Sequence, residues 1–111
     1  MENIVDIKTA LSELDRLDSS SYFLDIMHTN SFEVGILKLR PGQKDAQGPH
    51  SADELYFIVE GEGFIRIQGT DHGIRKGSCV FVASKTEHHF HGNTEQLIVL
   101  YIFTNNRKFD L

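Results

Sequence analysis

Apolar and polar positions alternate along this chain in two rhythms. In the first eighteen residues Ile4, Ile7, Leu11, Leu14 and Leu17 recur at helical spacing, separated by Asp, Lys, Ser, Glu and Arg. That spacing predicts an amphipathic helix over 1–18 with one buried face. Asp18-Ser19-Ser20-Ser21 ends it, because these short polar side chains compete for backbone hydrogen bonds. From Tyr22 onward the rhythm is that of strands, rich in β-branched and aromatic residues. Tyr22–Met27 and Phe32–Leu39 flank the turn Thr29-Asn30-Ser31, and Pro41-Gly42 stops the second run. Leu55–Glu60 and Phe64–Gln68 flank Gly61–Gly63 and suggest a hairpin. Gly69–Gly73 reads as a turn with a solvated His72, followed by Val80–Val82, His88–His91 and Leu97–Phe103. Short strands punctuated by turns at this interval predict an all-β sandwich or barrel over 22–104.

The last run, Leu97-Ile98-Val99-Leu100-Tyr101-Ile102-Phe103, is apolar at both parities, so both of its faces require cover. One face fills the barrel. The other needs the helix or a second subunit, and together with Tyr22–Met27 it exceeds what one short helix covers, which predicts a homodimer.

Composition narrows the class. With 111 residues the chain makes a single domain, 1–111, with one core. A net charge of -5 without a basic cluster argues against a nucleic-acid partner. No apolar stretch approaches the ~20 residues that cross a bilayer, so no membrane partner is expected. The opening residues lack the basic region and cleavage site of a signal peptide, and Cys79 is the sole cysteine, so the expected compartment is the cytoplasm. Cys79, inside Cys-Val-Phe-Val, reads as a small buried hydrophobe.

The candidate chemistry lies in two stretches. Gly42 to Gly61 contains His50 and Glu54, four residues apart, at the mouth of the strand Leu55–Val59. Gly77 to Asn93 contains three histidines in four residues: His88, His89 and His91. On a strand His88 and Phe90 face one way and His89 and His91 the other, so an inward His88 sends His89 outward. Tyr56 shares the parity of Glu54, as does Ile58, which reads as core.

Together the two stretches resemble the paired motifs of the cupin superfamily. Gly42, His50, Glu54 and Gly61 fall in the register of the first motif, with Gly48 where its first histidine stands. Gly77 and His88 match the second motif, while Ala83, Lys85 and Gly92 replace its proline, glycine and asparagine, and Asn93 comes one place late. The fifteen residues between Gly61 and Gly77 resemble the short spacing of small microbial cupins. The resemblance implies a double-stranded β-helix, or jelly-roll barrel, with a short N-terminal helix. It also implies that His50, Glu54 and His88 hold one divalent ion, and this donor set suits Fe, Zn, Mn, Ni or Cu. Three protein ligands leave positions open for water or substrate, which points to a reactive site. Gln43 and Gln47 are weak oxygen donors near the empty position. The implied protein is a small metal-dependent dioxygenase, isomerase or lyase acting on a polar small molecule, with Tyr56 as a proton donor. The alternative is a non-catalytic binding or sensor module using the same pocket.

Overall fold

The computed structural model describes residues 2–18, 20–46 and 48–104. Among these residues one helix precedes eight strands: α1 (Ile7–Arg16), β1 (Phe23–His28), β2 (Phe32–Leu39), β3 (Glu54–Glu60), β4 (Glu62–Ile67), β5 (Thr70–Arg75), β6 (Cys79–Val82), β7 (His88–His91) and β8 (Leu97–Thr104). They form a five-stranded sheet, β1-β2-β8-β3-β6, and a three-stranded sheet, β5-β4-β7. Every pairing is antiparallel.

The helix is shorter than the stripe that predicts it. Asp6 caps its N-terminus, its carboxylate accepting from Thr9 N–H at 3.1 Å, so Ile4 falls before the first turn and is 84% exposed. Leu17 lies past the last turn and is 47% exposed. Ala10 and Leu14 are the buried helical residues. Ala10 packs with Ile36, Ile98 and the half-buried Leu24 and Ile26 on the outer face of the larger sheet. Among the described residues no helix is long and apolar enough to cross a membrane.

The main core fills the space between the sheets: Leu37, Leu39, Tyr56, Ile58, Ile65, Phe90, Leu97, Val99 and Tyr101 are buried there. Each buried aliphatic or aromatic side chain contributes about 1.5–3 kcal/mol over leaving it in water. β8 lies between β2 and β3 in mid-sheet, with Leu97, Val99 and Tyr101 in the main core and Ile98 in the outer cluster. α1 covers Ile98 on its outer face, whereas Leu100 and Ile102 are half-buried.

Two other sequence expectations are corrected. Thr70–Arg75 is strand β5, hairpinned to β4, and the turn narrows to Gln68 and Gly69, both at positive φ. His72 is exposed on that strand. Cys79 is exposed, because its parity on the edge strand β6 points outward, opposite Phe57.

Candidate metal centre

Glu54 opens β3 and His88 opens β7, so one side chain from each sheet enters the same end of the barrel. His50 lies in the loop before β3. The ligand atoms of His50, Glu54 and His88 all lie within 4.8 Å of one another. His50 Nε2 is 3.7 Å from Glu54 Oε1, and His88 Nε2 is 3.4 Å from Glu54 Oε2. Glu54 and His88 are buried and His50 is half-buried, so the cluster is closed behind and open at His50.

Tyr56, next on the inner face of β3, is fully buried and brings its hydroxyl into the same cluster. The hydroxyl donates to Glu54 Oε2 in a short hydrogen bond and lies 2.8 Å from His88 Nε2. The other ring nitrogen, His88 Nδ1, lies 2.8 Å from the Thr86 carbonyl, an acceptor, so Nδ1 carries a proton. That bond fixes the ring and aims Nε2 at Glu54 and Tyr56. With the phenol proton directed at Glu54, a proton on His88 Nε2 would complete the contact. Burial alone would lower the His88 pKa. Its hydrogen bonds with Glu54 and Thr86 and the charges of Glu54 and Asp45 outweigh burial and hold it above the ordinary value. The cluster therefore calls for a cation, either a proton on His88 or a divalent ion among the three ligands. Two imidazoles and a carboxylate are a donor set that such an ion accepts.

Backbone clamps hold the loops in place. Lys85 N–H donates to the His50 carbonyl at 2.5 Å, and Ser84 N–H donates to Asp53 Oδ1 at 2.9 Å. Asp45 is 5% exposed and anchors the loop between β2 and β3. Its Oδ2 accepts from Phe90 N–H at 2.9 Å and its Oδ1 from the Tyr22 hydroxyl at 3.1 Å. Composition gives no hint of this, since a loop aspartate ordinarily reads as solvated. Asn93, one place late for the motif, is buried and donates to the carbonyls of Leu39 and Glu95 at 3.2 and 2.8 Å.

The remaining candidates fall outside the cluster. Gln43 Oε1 accepts from Arg40 N–H at 3.0 Å, closing a turn, and Gln47 lies outside the described residues. His89 is half-buried on the opposite face of β7 beside His91, which bonds Asp71 at 2.9 Å. Gly48 lines a cavity of about 360 Å³ that His88 also lines. A second cavity, about 400 Å³, opens on the His50 side. A larger hollow, about 590 Å³ and lined by Phe64, Arg75 and Thr94, reaches none of these ligands.

With this geometry in hand, the sequence profile of the cupin domain matches residues 35–103, from mid-β2 to the penultimate residue of β8. The chain belongs to the cupin family. This cupin is 33% identical over 92 residues to the uncharacterised protein SCO3923 of Streptomyces coelicolor, covering 83% of the chain and 88% of that protein. It is 31% identical over 72 residues to dimethylsulfoniopropionate lyase DddW of Ruegeria pomeroyi, covering 65% of the chain and 47% of the lyase. The match thus spans about half the length of that enzyme. Among solved structures, TT1209 from Thermus thermophilus shares the fold with a TM-score of 0.73 at 19% identity, covering 93% of this chain and 97% of that one.

Proposed function

We propose that this cupin is a small metal-dependent enzyme, of the lyase, isomerase or dioxygenase kind, acting on a polar small molecule at the mouth of the barrel. The observation that carries this reading is the convergence of His50, Glu54, His88 and the Tyr56 hydroxyl on one point beside an open cavity. His50, Glu54 and His88 hold the ion. When bound, the ion supplies Lewis-acid polarisation of a substrate oxygen and leaves coordination positions open for it. Tyr56 serves as the proton donor: its hydroxyl is held between Glu54 and His88 and screened from bulk water. The similarity to a lyase supports elimination as the reaction to assay first. A non-catalytic binding module would use the same ligands and cavity but would not need the buried phenol.

Elemental analysis of protein purified without added metal tests the first part, with about one divalent ion per chain expected. His50→Ala, Glu54→Ala and His88→Ala should each release most of it, because two remaining ligands hold an ion weakly, while His72→Ala and His89→Ala keep it. Control variants that lose metal as readily as His88→Ala would refute the ligand set. Tyr56→Phe separates enzyme from binder: metal content persists and turnover collapses, whereas a binding module has no turnover to lose.

A further inference from the structure

The cavity of about 400 Å³ on the His50 side has an unusual wall for a site built around a metal. Its rings run outward from the ligand cluster. His50 lies 5.0 Å from Phe103, centroid to centroid, and Phe103 stacks on Tyr101 at 4.9 Å. Asp25 and Glu33 also line it, and among the described residues no lysine or arginine does. Strand register explains their direction. Asp25 pairs with Gly35, Gly35 with Tyr101 and Glu33 with Phe103, so all of them project from the inner face of the larger sheet. The wall is fixed in place. A side chain at Gly35 would meet the Tyr101 ring at 2.1 Å, so glycine there lets the ring lie across β2. The Tyr101 hydroxyl then donates to Asp25 Oδ1 at 2.5 Å. Burial first, then the hydrogen bond and charge of Asp25 and the charge of Glu33, push the Tyr101 phenol well above its ordinary pKa.

We propose that this cavity is a subsite for a small organic cation of the alkylammonium type, its head against Tyr101 and Phe103 and its charge balanced by Asp25 and Glu33. Aromatic faces attract cations through the ring quadrupole, and the attraction is strongest for weakly hydrated heads that leave water easily. A small inorganic ion would demand several oxygen ligands, and this wall is largely carbon. An anionic ligand would meet the two carboxylates, which repel it. Resting on the metal-centre reading, the subsite selects a zwitterion, with an oxygen anion at the His50–Glu54–His88 end and an alkylated cation at the Asp25–Glu33 end.

Calorimetric titration with tetramethylammonium tests the cation end alone, since that probe has no group for a metal. It should bind about tenfold more tightly than neutral tert-butanol of similar shape, with or without chelator. Glu33→Gln, a substitution at an exposed position that keeps the fold, should reduce that preference several-fold, as should Asp25→Asn. Equal binding of the two probes, or binding indifferent to both substitutions, would overturn the subsite. Trimethylglycine adds the anionic end. A divalent ion should strengthen its binding and leave tetramethylammonium unchanged. If the ion affects neither probe while dependence on Glu33 persists, the metal-centre reading fails and the cation subsite stands.

Discussion

Gly48 is the residue on which the metal reading turns. It occupies the empty first-histidine position, its Cβ would enter open space, and its φ is not in the left-handed region. Gly48→His therefore fits, and the new imidazole would face the cavity that His88 also lines. Metal affinity should rise about tenfold, close to 1.4 kcal/mol, while azide or another exogenous ligand binds less well because a coordination position is filled. Titration calorimetry reads both, and a folded variant with no gain in metal affinity would count against convergence on an ion. His88 adds a pH dependence. Its folded pKa lies above the ordinary value of about 6.5, so in metal-free protein its protonation contributes stability below that pH. The contribution is lost as pH rises through the higher folded value. Metal needs the unprotonated Nε2, so affinity should climb over the same window in which metal-free stability falls. Urea midpoints of chelated protein and zinc titrations across neutral pH give the two slopes, and parallel slopes would sink the assignment. His50, Glu54, Tyr56 and His88 were legible in sequence because motif spacing and strand parity constrain them directly. Asp45 was not, since a loop carboxylate acquires a role only when the fold brings it to Phe90 N–H.

At the scale of elements, the clamp between the two motifs stands out. Lys85 occupies a motif position that calls for glycine, and its φ is +62°, in the left-handed region. The strain holds its N–H against the His50 carbonyl. Such a conformation costs a non-glycine residue about 1–2 kcal/mol, against about 0.5–1 kcal/mol for the extra freedom glycine loses on folding. Lys85→Gly should therefore stabilise the protein by about 0.5 kcal/mol, visible as a higher denaturant midpoint at unchanged slope. A lower midpoint would show that the lysine side chain contributes more than the strain costs. Strand positions were legible because aromatic and β-branched runs declare them. β5 was missed because Gly69, Asp71 and Gly73 mimic a turn, and pairing with β4 overrides that local signal. Gly35, in mid-strand, was the overlooked sign of a close approach, here the Tyr101 ring.

For the whole molecule, α1 covers only part of the outer face of the larger sheet. Beyond it Phe81, Phe57 and Leu55 are 61%, 44% and 40% exposed. They adjoin one another: Leu55 pairs with Phe81 and Ile102, and Phe57 with Cys79 and Leu100. We propose that a second copy of the chain covers this patch. An exposed apolar patch of this kind marks an interaction surface, and a two-fold contact would bury both copies of it at once. Sedimentation should give a dimer mass for the native protein and a monomer mass for Phe81→Glu. A monomer mass for the native protein at high micromolar concentration would remove the proposal. The position of β8 has a further consequence, for synthesis of the chain. It is the last of the described strands in sequence, yet it separates β2 from β3 in mid-sheet. As the chain is made, neither β2 nor β3 can pair along its open edge until Leu97–Thr104 has been synthesised and is free to enter the sheet. From the synthesis of β3 to that of β8 the nascent chain therefore carries two unpaired strand edges beside apolar side chains, the interval in which chaperones would find it.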